Sequence, residues 1–184
     1  MLGPWPAISH QETVKILMPR TLRPVAAQVE LDVVDMRLLR ALQEDARMTN
    51  RELAARAGIA TSTCSDRLAR LRDAGVMCGS AVRIEPSAVG RPLEAMLAVR
   101  VHPHRRPLVD PFVQHVLAQP ETRHLYHLTG PDDFLIHVTV VDAGDLQRLV
   151  LDELTARDEV VMVHTHLIFH QWRGGPLMPP GAEG

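Results

Sequence analysis

The sequence of 184 residues is poor in aromatics, with three Phe, two Trp and one Tyr. It carries two cysteines, Cys64 and Cys78, and a single lysine, Lys15. No apolar run approaches the ~20 residues of a membrane-spanning helix. Each scarcity excludes something. Two cysteines without Cys-x-x-Cys spacing make neither a disulfide framework nor a thiolate zinc site, and both are expected to be small buried residues. The first thirty residues lack a basic start followed by an apolar stretch, so the chain reads as cytoplasmic, with no membrane partner. A net charge of -2 with His neutral argues against binding nucleic acid by bulk charge alone. A Walker phosphate loop, a Gly-x-Gly-x-x-Gly fingerprint and a Ser-His-Asp nucleophile elbow are all missing, so no catalytic residue and no cofactor are expected.

What is present is close to an ordinary soluble composition, 46% hydrophobic and 23% charged. The length allows one normal domain or two small ones. Residues 31–75 carry eight Arg against seven acids, whereas residues 91–173 carry eight Arg against eleven acids, and nine of the ten His lie beyond residue 100. This divides the chain into two chemically different halves. Residues 1–29, with Pro4, Pro6, Pro19 and Pro24, read as a flexible arm in which Met18 offers an alternative start. The tail 174–184 is rich in Gly and Pro and is expected to be disordered.

Between these ends the first signal is helical. Asp32 and Asp35 precede Leu38, Leu39 and Leu42, which predicts a capped amphipathic helix over about 33–45. Thr49 with Glu52 fits a capping box, and the short helix that follows stops at Gly58. A third helix starts near Thr61, buries Cys64, Leu68 and Leu71, and ends at Gly75. Three such helices in residues 30–75 form a helix-turn-helix domain. Residues 76–92, with Pro86, Gly90 and Pro92, read as a connector. Strand-forming runs at 93–101, 122–128, 134–141 and 160–169 alternate with helical spacing at Leu108, Phe112, Val116 and Leu117 and at Leu146, Leu149, Val150 and Leu154. The order strand, helix, strand, strand, helix, strand over 93–173 is the ferredoxin-like βαββαβ arrangement. The fold class is therefore α+β.

The third helix leaves Ser62, Thr63, Ser65, Asp66, Arg67, Ala69 and Arg70 on or beside its outward face. Small hydroxyl residues permit close approach to a major-groove floor, and Arg can pair with guanine edges or phosphates. A solvated face with an Asp66–Arg70 ion pair is the plainer alternative. The segment Leu128-Thr129-Gly130-Pro131-Asp132-Asp133 could offer backbone groups and carboxylates to a small ammonium-bearing ligand, or be a simple hairpin turn. His164, His166 and His170 would share one strand face, with His124, His127 and His137 on neighbouring strands. Imidazoles so spaced suit a borderline metal, but such residues more commonly lie at surfaces or interfaces, and no metal is expected.

As a set these residues resemble the Lrp/AsnC family of transcription regulators. Leu31-Asp32-x-x-Asp35, Leu38-Leu39-x-x-Leu42, Arg47, Glu52-Leu53-Ala54, Gly58-Ile59, Arg67-Leu68, Leu71 and Gly75-Val76 resemble its DNA-binding domain. Thr129-Gly130-x-x-Asp133-Phe134-Leu135, Asp145-Leu146 and His164-Thr165 resemble its ligand-sensing domain. The resemblance implies a (winged) helix-turn-helix, a pseudo-palindromic double-stranded DNA operator and a homodimer assembling to a tetramer or octamer. It implies an amino acid or related metabolite as effector near Leu128 to Asp133, and DNA contacts on Thr61, Ser62, Thr63, Ser65, Asp66, Arg67 and Arg70. The family usually has Ser, often followed by Pro, where this chain has Ala60 and Thr61, so Thr61 is expected to cap one residue later. Two rivals stand beside the sensing regulator. One is an enzyme like the sirohaem decarboxylases, which resemble the same architecture and use His near the tetrapyrrole. The other is an architectural DNA-binding protein without an effector.

Overall fold

A computed structural model of the chain describes residues 29–102 and 106–181, apart from the side chains of 106–108. The arm expected over 1–29 lies almost wholly outside the described residues, as does the end of the tail, 182–184. The chain divides into two compact units, one reaching to Val82 and resuming at Trp172, the other spanning Arg83–Gln171. No helix among the described residues is long and apolar enough to cross a membrane.

In the first unit, helix α1 (Val33–Glu44) starts at a reciprocal capping box. The Asp32 carboxylate accepts from the Asp35 backbone N–H at 2.8 Å, and the Asp35 carboxylate accepts from that of Asp32 at 3.2 Å, satisfying two of the donors a helix start leaves open. Helix α2 (Asn50–Ala57) repeats the device with Thr49 and Glu52 and ends at Gly58, whose φ of 73° is left-handed. Helix α3 (Thr61–Asp73) follows directly. Leu38, Ala41, Leu53, Ala54, Ala57, Cys64 and Leu68 close into one buried cluster, with Ile59 and Met77 packed against it. Cys78, expected to be buried, is exposed, because the chain has left α3 and only Met77 turns back to the core. Residues 77–85 hold no strand, and a single 3-10 turn at Pro86–Val89 precedes Gly90. In the tail stretch, Leu177 donates its N–H to Gln43 Oε1 at 2.8 Å and accepts from Gln43 Nε2 at 3.0 Å.

The second unit runs β1 (Leu93–Val101), α4 (Arg106–Ala118), β2 (Thr122–His127), β3 (Phe134–Val140), α5 (Ala143–Arg148) and β4 (Val160–Leu167). The sheet order is β2-β3-β1-β4, antiparallel throughout, as the ferredoxin-like reading requires. Alternation sends Ala95, Leu97, Val99, Phe134, Ile136, Val138 and Val140 to one face, where they bury Phe112 and Val116 of α4 and Leu146 of α5. Phe112 and Phe134 pack with ring centroids 4.9 Å apart.

The second helix departs from expectation after Arg148. Residues Leu149–Thr155 wind as a π-helix. On an α-helix Leu149 and Leu154 would point roughly 140° apart, but both are buried in the core. The wider i to i+5 turn brings them to one side.

Candidate DNA interface and ligand loop

Helix α3 is fixed by its apolar stripe, Cys64, Leu68 and Leu71, all at most 1% exposed. Its N-cap is Ala60, which offers no side-chain bond, and Thr61 is the first helical residue. The expected cap at Thr61 is therefore corrected: its φ and ψ are already spent on the helix, and a cap must lie outside it. Thr61, Ser62, Thr63 and Asp66 are exposed. Ser65 is half-buried and its hydroxyl is used internally, donating to the Thr61 carbonyl at 3.1 Å and accepting from Asn50 Nδ2 at 3.0 Å.

The two arginines of α3 turn toward α1. Arg67 Nη1 donates to Asp32 Oδ2 at 2.6 Å and to Asp35 Oδ1 at 3.0 Å, and Arg70 Nη2 donates to Asp35 Oδ2. The Asp66–Arg70 pair considered from spacing is not what forms among the described residues. Asp35 is 1% exposed, and both its oxygens are engaged by guanidinium groups from a helix more than thirty residues away. The Asp35 N–H and then the Arg67 guanidinium hold the Asp32 carboxyl below the usual carboxylate range, while Asp32 and Asp35 raise the pKa of Arg67 further. An open groove of about 710 Å³ lies over this clamp, bordered also by Glu30, Leu31 and Asp66. Sequence reasoning missed the role of Asp35 because a first-turn acid is already explained by the helix start it caps.

In the second unit, the loop after β2 is closed by the Leu128 N–H donating to the Asp133 carbonyl at 2.8 Å, and Gly130 takes a φ of 131°. Arg100 Nε donates to the Pro131 carbonyl at 2.6 Å. Asp133 Oδ2 accepts the Val101 N–H at 2.8 Å, and its own N–H donates to the Val99 carbonyl at 3.0 Å. Asp133 thus stitches the loop to the end of β1. Asp132 differs: its Oδ1 is buried without a hydrogen-bond partner among the described residues, with His164 Nδ1 4.0 Å away. The two acids, adjacent in sequence, therefore hold different positions, one hydrogen-bonded to β1 and one with a buried oxygen that no described residue hydrogen-bonds.

The histidines split. Register places His124, His137, His164 and His166 on the sheet face opposite the core, whereas His127 lies on the core side and stacks on Phe134 at 4.8 Å. His170 lies past the end of β4, so it shares no strand face with His164 and His166. His124 and His137 stack with Nδ1 atoms 3.3 Å apart, and His137 Nε2 meets Glu94 at 2.9 Å. Burial, then the neighbouring His137 and Arg123, push the His124 pKa down. No group of three metal-ligating side chains is assembled among the described residues.

Two family models match successive parts of the chain. Residues 31–76 match a winged helix-turn-helix DNA-binding model, and residues 94–177 match the Lrp/AsnC ligand binding domain. The HTH-type transcriptional regulator AldR of Mycolicibacterium smegmatis is 41% identical over 145 residues, 79% of this chain and 85% of that protein. The chain belongs to the Lrp/AsnC family. Its AldR relative from Mycobacterium tuberculosis is 39% identical over 166 residues, 90% of each chain. Among solved Lrp/AsnC-like structures, a transcriptional regulator from Neisseria meningitidis in complex with L-Met superposes with a TM-score of 0.75 at 29% identity. That match covers 82% of this chain and 97% of the other. The protein is thus a DNA-binding transcriptional regulator of the Lrp/AsnC type with a ligand-binding domain, and its curated relatives are regulators.

Proposed function

We propose that the protein is a cytoplasmic, amino-acid-responsive regulator that binds a pseudo-palindromic operator through α3 and senses its effector at the loop Leu128 to Asp133. The observation that carries the DNA reading is the outward face of α3. Thr61, Ser62, Thr63 and Asp66 are exposed on a helix whose opposite stripe is fully buried. Small polar side chains let a helix sit close to base edges, where hydroxyls and a carboxylate that accepts from cytosine N4 can discriminate. Ser65 edges the proposed surface, and Arg67 and Arg70 flank it with their guanidinium groups on Asp32 and Asp35. Footprinting of the full chain on DNA upstream of its own gene and its neighbours tests this. Protection of a two-fold related site is expected, and absence of protection on any such DNA would sink the DNA reading.

The effector reading rests on Asp132, whose buried Oδ1 has no hydrogen-bond partner among the described residues and can receive an ammonium group. The regulator solved with L-methionine makes that amino acid the first to try. Melting of the full chain with each of the twenty amino acids should show a rise for at least one, since a ligand that binds only the native state stabilises it. Asp132→Asn should erase that rise. An unchanged response in this variant would remove Asp132 from the site.

The face bearing His124, Tyr126, Leu135, His137 and Met162 is taken as the homodimer surface, and further assembly to a tetramer or octamer is proposed on the family pattern. An uncovered sheet face with apolar residues of this size calls for a partner. Light scattering of the full chain should report a dimer or a multiple of it.

A further inference from the structure

Resting on the reading that α3 faces DNA, we propose that Arg67 and Arg70 act as positioning residues through Asp35, setting how α3 is rolled toward the groove, and that reading falls to Ser62, Thr63 and Asp66. At about 100° per residue, Ser62 and Asp66 lie roughly opposite the buried stripe of Cys64, Leu68 and Leu71. Arg67 and Arg70 lie on one flank of that face, either side of exposed Thr63, and their guanidinium groups meet α1. Asp35 is 1% exposed, and its two carboxylate oxygens hold one guanidinium each.

Moving either arginine onto a phosphate would strip one oxygen of a buried carboxylate of its guanidinium. Breaking a buried pair by withdrawing one partner is strongly unfavourable, whereas a solvent-accessible phosphate contact is weakened by salt. The clamp therefore persists when DNA is bound. Two bonds from residues one turn apart to a single fixed carboxylate define the rotation of α3 about its own axis, which a lone bond would not.

The test uses the full chain on the operator found by footprinting, with affinity measured across a salt series for Asp35→Asn, Asp32→Asn, Arg70→Met and the Asp35→Asn/Arg70→Met double variant. Simple electrostatics expects tighter binding when an acid is removed from a DNA-facing surface. Positioning expects the opposite sign: Asp35→Asn weakens operator binding about tenfold or more, and Asp32→Asn weakens it a few-fold. Asn caps a helix as well as Asp, so Asp32→Asn remains a fair variant even if Asp35→Asn folds poorly. The double variant should be no weaker than the weaker single, because both remove the same linkage. The slope of log affinity against log salt should stay at the wild-type value, and bases selected from a random pool should shift for Asp66→Ala but not for Arg70→Met.

The proposal is overturned if both acid variants bind as tightly as the wild type or tighter. It is equally overturned if Arg70→Met flattens the salt slope by about 0.9, the signature of one lost phosphate contact. A wild-type chain that selects no sequence would instead remove the DNA-facing assignment of α3 on which the proposal rests.

Discussion

The two units are held together by different means. The sheet unit closes thirteen buried apolar residues into one cluster, including Phe112 and Phe134. The helical unit has seven, three of them Ala and one Cys. Small side chains leave little area to bury, at roughly 25 cal/mol per Å², and packing among alanines resists rotation of one helix on another poorly. The helical unit also holds an ion cluster, and its buried acid Asp35 has each oxygen paired. The buried acid of the sheet unit, Glu121, receives Arg148 on one oxygen at 2.6 Å and leaves the other without a partner among the described residues. A fully paired buried carboxylate thus marks one unit, and a larger apolar cluster the other.

That contrast can be broken at its strongest point first. Phe134→Ala removes a ring that is fully buried and should cost the sheet unit about 3–5 kcal/mol, read as a lower midpoint in denaturant unfolding. A loss under about 1 kcal/mol would mean that packing does not dominate there. Next is Asp35→Ala, which deletes both the cap and the clamp. A buried pair is worth more than this on paper, but Arg67 and Arg70 are 27% and 46% exposed and can rehydrate. The expected loss is therefore about 2–3 kcal/mol, confined to the helical unit and measurable by urea titration with helical circular dichroism.

A smaller effect belongs to the other unit. His124 titrates below its ordinary value because burial, His137 and Arg123 disfavour its charge. The unfolded chain then takes up the proton first, so stability falls as pH drops from about 7 through the lowered folded value and levels off below it. The melting temperature should fall more steeply between those limits in the wild type than in His124→Asn. Parallel curves would show that His124 is not coupled to folding. The smallest change sharpens the comparison from the helical side: Ala60→Ser supplies the cap that α3 lacks and should add about 0.5–1 kcal/mol, visible as a higher midpoint. No gain would indicate that the start of α3 is already satisfied by other means.

Much of this architecture was readable from local chemistry. Asp32 with Asp35 and Thr49 with Glu52 announce two helix starts because capping needs only residues three apart. The four strands follow from β-branched runs bounded by turns, and antiparallel order follows from the succession of elements. The unreadable parts depend on distance through space or on small energetic preferences. Leu149, Val150 and Leu154 suit an α-helix as a pattern, so the π turn is invisible until Leu149 and Leu154 compete for one core. Asp132 and Asp133 are indistinguishable as letters, and only the position of the Val101 N–H separates them. Gln43 meets Leu177 across 134 positions of chain, and no local rule connects a helix glutamine to a Gly- and Pro-rich stretch.

The Asp35 clamp also bears on redesign. A recognition helix is often exchanged between regulators as a cassette to change the operator that is recognised. In this protein positions 67 and 70 belong to the chassis as much as to the cassette, because they neutralise a carboxylate on another helix. A graft that carries other side chains there would leave Asp35 buried and bare, and the hybrid would lose stability before its sequence preference could be measured. On the proposed reading of α3, libraries for new operators should vary Ser62, Thr63, Asp66 and Ala69 and keep both arginines, or replace Asp35 and both arginines together with apolar residues of matching volume.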